Sequence, residues 1–106
     1  MGAPPQLTPE ERARALAKAK QSRLVRAGIK SRVKSGELSI TDVLELAKSD
    51  EAVAKMRVLE LVESIAGVGK IRAKVLLEKL EISLTRRLQG LGSRQAKALA
   101  QEFISP

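Results

Sequence analysis

GVGKIRAKVL, Gly67 to Leu76, is the stretch on which the reading of this chain turns. Two glycines straddle a valine, a lysine follows, and a helical pattern begins. A nucleotide-binding phosphate loop needs Gly, four residues, Gly, Lys and then Ser or Thr, after a β-strand. Here the residue five before Gly69 is Ser64, and Ile71 follows Lys70. No strand pattern precedes the stretch, and nothing nearby would hold magnesium or activate water. A nucleotide hydrolase is excluded.

The stretch has a second copy. GLGSRQAKAL, Gly90 to Leu99, repeats Gly-apolar-Gly, three residues, Ala-Lys, one residue, Leu, at an offset of 23 residues. Both copies read as a turn that opens a helix. In each, the first glycine is expected at positive φ, ending the preceding segment. The apolar residue, Val68 or Leu91, turns inward as a plug. The second, Gly69 or Gly92, lets a polyanion approach the free N–H groups of the next helix. Lys74 and Lys97 then stand on matching faces one turn on. Gly-apolar-Gly turns also serve as plain helix ends. Two copies with helix-face lysines, separated by Thr85-Arg86-Arg87, favour contact with a phosphate backbone. The bland role for Arg86 and Arg87 is pairing with Glu78 or Glu81, worth only ~0–1 kcal/mol if exposed.

Composition points the same way. The 106 residues suit one small domain with an appended arm, and 20 Lys and Arg against 12 Asp and Glu give a net +8. Such charge is the footprint of a polyanion binder. The chain has no Cys and no His, which excludes disulfides, thiolate metal sites and imidazole catalysis. No cofactor or metal is expected. No apolar run approaches the ~20 residues of a membrane span, and MGAPPQLTPEE lacks the regions of a signal peptide. The expectation is a cytoplasmic protein that is a monomer in solution and makes no membrane contact. Phe103 is the only aromatic residue, so a base-stacking platform for single strands is absent.

The periodicity predicts an all-α fold. Thr8, Pro9 and Glu11 form a helix start, and the pattern runs to about Ser35 before Gly36. Residues 9–35 hold nine basic residues against two acidic, a net +7, which leaves +1 for the other 79. Large apolar residues are sparse there, so the first half of this helix protrudes or orders on binding. Residues 1–36 are read as a basic arm and 37–106 as a helical core. In the core, Ser39 or Thr41 caps a helix over 41–48, Ser49-Asp50 caps another near 50–56, and Val58, Leu61, Val62 and Ile65 define a third. Ile71, Val75, Leu76, Leu77 and Leu80 form the apolar set of the next. A helical scrap over 85–88 precedes a last helix, in which Ala96, Leu99, Ala100 and Phe103 share a face. Met56 reads as core rather than as an apolar wedge.

The runs Lys55-Met56-Arg57-Val58, Val68 to Lys74 and Thr85-Arg86-Arg87-Leu88 before Gly90-Leu91-Gly92 resemble actinobacterial integration host factor. Leu7-Thr8-Pro9-Glu10 and the basic helix match that family too. The resemblance implies a small non-enzymatic nucleoid-associated protein that binds duplex DNA with little sequence preference and bends or compacts it. It also implies a helix-two-turns-helix module in the C-terminal part, with DNA-contacting arginines at Arg86 and Arg87. Relatives often carry a third basic residue where this chain has Gln89.

The expected DNA-binding set is therefore Gly67, Gly69, Lys70, Lys74, Arg86, Arg87, Gly92, Arg94 and Lys97, with Lys55 and Arg57. Arg23, Arg26, Lys30 and Lys34 of the arm complete it. Two other classes share the module: a ribosomal or other structured-RNA binder, and a repair glycosylase. The latter is disfavoured because no catalytic domain accompanies the module and Met1-Gly2-Ala3 offers no terminal proline nucleophile.

Overall fold

The structure, a computed structural model, describes residues 6–103; Met1, Gly2 and Ala3 lie outside the described residues. Six α-helices follow in chain order: α1 Pro9–Lys34, α2 Ile40–Leu46, α3 Glu51–Ala54, α4 Val58–Glu63, α5 Gly69–Lys79 and α6 Ser93–Glu102. A 3₁₀ turn, Leu88–Gly90, precedes α6. There is no strand among the described residues, only an isolated antiparallel bridge between Arg57 and Arg87.

Local chemistry starts the first three helices. Thr8 Oγ1 accepts from the Glu11 amide at 3.1 Å while Glu11 Oε1 accepts from the Thr8 amide at 3.2 Å. This reciprocal pair, with Pro9 at the first position, closes the start of α1. Ser39 and Asp42 repeat the device on α2, so that helix begins at Ile40 and not at 41. Asp50 caps α3 by accepting from the Ala52 and Val53 amides.

The core is aliphatic and dry. Val43, Val53, Met56, Val58, Leu61, Val62, Ala73, Leu77 and Leu99 are essentially inaccessible, and no polar side chain is buried among the described residues. Met56 is thus a core residue. Val68 and Leu91 pack half-buried against this cluster, as plugs should.

Helix α5 differs from its expected packing. Its buried positions are Ala73 and Leu77, whereas Ile71 is 81% exposed and Val75 is 60% exposed. The small Ala73 lets α5 lie close to α4, which sets the inward face and turns the larger pair to solvent. Beyond Leu80, the Ile82 amide reaches the Leu77 carbonyl at 2.8 Å, with Glu81 at φ 57° in the position glycine usually takes.

Only Ile29 and Val33 of α1 are buried, and residues 9–21 are exposed throughout. The 26-residue helix is about 39 Å long and therefore projects. The radius of gyration is 16.2 Å, against roughly 13 Å for a compact chain of this length.

Candidate nucleic-acid interface

The two glycine-led turns open their helices by different backbone routes. Gly67 and Gly69 both have positive φ, 83° and 72°, and the second is the first residue of α5. Gly90 does not have positive φ, contrary to expectation. It closes the 3₁₀ turn, its amide donating to the Arg87 carbonyl at 3.0 Å, and its missing side chain leaves room for the Arg86 guanidinium. Arg86 Nη1 donates to the Gly90 carbonyl at 3.2 Å. Gly92 has an ordinary φ of −70° and precedes α6.

The result is alike at both helix starts. No side chain caps α5 or α6, and neither has an acidic residue in its first turn. The helices α1, α2 and α3 are each capped by a side chain and carry an acid there. At α5 the first turn holds Lys70 and Arg72, and Arg72 Nη1 reaches back to the Gly67 carbonyl at 3.2 Å. At α6 it holds Arg94, with Lys97 one turn on. The only side chain reaching back is Gln95, whose Oε1 accepts from the Gly92 amide at 3.1 Å while its Nε2 donates to the Glu81 carbonyl. Cations at the positive end of a helix dipole are unfavourable without an anion. Neither opening has an acidic side chain in its first turn to supply one.

Between the turns, the chain forms the bridge to Arg57. The Val58 amide donates to the Arg86 carbonyl at 2.9 Å, and the Leu88 amide to the Met56 carbonyl at 2.8 Å. That pattern makes Arg57 and Arg87 a non-hydrogen-bonded antiparallel pair, the arrangement that brings side chains closest. Arg87 Nη1 is anchored on the Lys55 carbonyl at 2.9 Å. Arg57, Arg86 and Arg87 are all exposed, and neither Glu78 nor Glu81 pairs with them. Ser83, Thr85, Arg86, Arg87, Gln89 and Gly90 line a depression of about 290 Å³. Beyond Gln89, Ser93 and Lys97 border a larger apolar groove.

Six of the 20 Lys and Arg pair with a carboxylate among the described residues: Lys18, Lys30, Arg32, Lys48, Lys55 and Lys79. The other 14 do not. Of the expected site residues, Lys30 is paired with Glu60 at 2.9 Å and Lys55 with Glu51 at 2.7 Å. Glu51 also faces Lys18 of α1 at 3.8 Å. The Lys55 hydrogen bond, and then the Lys18 charge, hold the Glu51 carboxyl below its ordinary pKa.

The expected set thus falls into three groups. Lys55, Arg57, Arg86 and Arg87 are brought together at the bridge, with Arg94 and Lys97 beyond Gln89. Lys70 and Lys74 stand at the α5 opening with Gly67 and Gly69. Arg23 and Lys34 are exposed on α1, whereas Arg26 and Lys30 are half-buried. Arg72 was not in the set. Its signal was its place in the first turn of a glycine-led helix, three residues after Gly69.

The family described as "S13-like H2TH domain" matches residues 33–103. The chain is 50% identical over 101 residues to "Integration host factor" of Mycobacterium tuberculosis, covering 95% of this chain and 96% of that protein. It is 48% identical over 99 residues to the protein of the same name from Mycolicibacterium smegmatis, covering 93% and 94%. Among solved structures it is similar to that of sIHF bound to an 8-base-pair palindromic DNA. The TM-score is 0.81 and the identity 42%, covering 83% of this chain and 99% of the other.

Proposed function

The chain belongs to the actinobacterial integration host factor family, and from that premise we propose how its residues carry out the family's work. It is a non-enzymatic, nucleoid-associated protein whose partner is double-stranded DNA. Phosphates sit at the uncapped starts of α5 and α6, ringed by Lys70, Arg72 and Lys74 at one and by Arg94 and Lys97 at the other. Arg86 and Arg87 take a further phosphate in the depression they line, with Arg57 opposite Arg87 across the bridge. The projecting α1, through Arg23 and Lys34 and its free N-terminal cations, reaches phosphates farther along the duplex. DNA held against several separate cationic surfaces bends around the body or is bridged to a second segment. Its place in the cell is the nucleoid, where its ligand is. No helix among the described residues is long and apolar enough to cross a membrane.

One observation carries this reading: Lys70, Arg72, Lys74, Arg94 and Lys97 at the glycine-led turns and Arg57, Arg86 and Arg87 at the bridge are exposed and have no carboxylate partner among the described residues. Phosphate contacts position a protein but carry no sequence information, so selectivity comes mainly from DNA deformability. The structured-RNA reading shares the domain and the charge but is not favoured, because the relatives matching nearly the whole chain are integration host factors. Competition between a duplex DNA and a duplex RNA of the same sequence tests it. DNA should displace the RNA at equal concentration; preference for RNA would overturn the proposal.

A further inference from the structure

The most exposed large apolar side chain among the described residues is Ile71, at 81%, and Val75 one turn along α5 is next to it at 60% exposure. Aliphatic residues are most of this chain's core material, yet Ile71 and Val75, two of the six exposed large apolar residues among those described, are turned outward on adjacent turns of one helix. They stand among cations: Lys70, Arg72 and Lys74 surround Ile71, and none has a carboxylate partner among the described residues. The two positive-φ glycines place this turn at an uncapped helix start. A protein partner seated on an apolar patch would need to bury three unpaired positive charges or bring its own acids. A nucleic-acid duplex meets both demands, with phosphates for the cations and base edges between them for the apolar pair. Glu78, the exposed residue that follows on the same side of α5, repels phosphate and restricts the contact to the first two turns.

We propose that Ile71, backed by Val75, is an apolar wedge that this protein presses into a base step of bound duplex DNA. The inference rests on the DNA-binding reading and adds a bending device to it. Side chains of this kind, inserted from the minor groove, unstack a step and kink the duplex by ~20–90°. Lys70, Arg72 and Lys74 would grip the flanking phosphates while Ile71 enters between them. The phosphate contacts then hold the DNA, and the wedge sets its shape.

The test uses the full chain and a short duplex labelled at both ends, with energy transfer reporting the bend and anisotropy the affinity. Ile71→Ala should fold like the parent, since its side chain is exposed. It should keep the salt dependence, with affinity within about threefold because the lost contact and the avoided unstacking cost offset each other. It should lose most of the bend, and Ile71→Leu should restore it. A duplex with a mismatch at the kinked step should bend with Ile71→Ala as the parent bends normal DNA. An unchanged bend in Ile71→Ala would overturn the wedge while leaving DNA binding intact. So would weaker parental binding when thymine is replaced by uracil, since that locates the side chain on a major-groove methyl. So too would self-association that disappears with Ile71→Ala while the bend persists. Failure of the parent protein to bind any duplex would remove the underlying reading as well.

Discussion

Arg57 and Arg87, thirty residues apart in the chain, face each other across an antiparallel bridge with no carboxylate partner on either among the described residues. Like charges opposite one another in this geometry are destabilising. The arrangement is held by hydrogen bonds of the flanking backbone and by Arg87 resting on the Lys55 carbonyl. The cationic pair is therefore oriented in advance of any ligand, and an anion relieves its repulsion.

Replacing Arg86 and Arg87 together with Ala should weaken DNA binding by a similar factor on unrelated sequences. Each lost phosphate contact should flatten the log–log salt slope by about 1. Arg87 also ties the bridge to Lys55, so circular dichroism melting should accompany the titration. A loss confined to one sequence would show base reading instead.

Salt dependence tests the whole surface. With about 4–8 phosphates neutralised, the logarithm of the binding constant should fall with the logarithm of salt at a slope of roughly −4 to −7. Titration of one duplex between low and moderate salt measures it. A slope near −1 would leave most of the 14 unpaired cations without a role.

Glu51 pairs with two cations, Lys18 and Lys55. Glu51→Gln frees Lys18 and Lys55, so affinity should rise and the salt slope steepen by up to about 2. The same pairing has a pH signature. Because the Glu51 pKa is lowered in the folded protein, its staple between α1 and the core is complete above the ordinary glutamate range. It is lost as pH falls through the lowered value. The melting temperature of the parent should therefore drop more on acidification than that of Glu51→Gln.

Much of this was legible in the sequence because it is locally determined. Thr8, Ser39 and Asp50 are capping residues that act within three residues of themselves, so the starts of α1, α2 and α3 could be placed within about a residue. The exposure of Arg86 and Arg87 followed from charge unbalanced by nearby acids. What was not legible depended on distance. The Arg57–Arg87 bridge has no period and no local mark. Ala73 reads in the sequence as a residue small enough for close helix packing, but the inward face of α5 does not, because a hydrophobicity pattern gives Ile71 and Val75 more weight than alanine. Arg72 had a legible place in the first turn of a glycine-led helix, but its contact with the Gly67 carbonyl is one that a residue pattern cannot register.

The two copies of the turn show the limit of letter matching and supply a contrast in stability. Gly69 is at φ 72°, a region that costs an L-residue about 1–2 kcal/mol, whereas Gly92 at −70° is in a region open to any residue. Gly69→Ala should therefore destabilise the protein by about that amount and disturb the first turn of α5, weakening DNA binding through Lys70, Arg72 and Lys74. Gly92→Ala should leave stability within about 0.5 kcal/mol, since its added carbon would meet Gln95 Oε1 at an ordinary 3.5 Å. Glu81, the non-glycine residue at φ 57°, provides the reverse case: Glu81→Gly should stabilise by up to about 1 kcal/mol once the greater freedom of the unfolded chain is subtracted. Urea unfolding of the three variants separates these effects. Equal losses for Gly69→Ala and Gly92→Ala would mean that the turns share one backbone conformation in solution. The φ values forbid that, because the first turn ends the α-helix α4 while the second closes a 3₁₀ turn already held by Arg86.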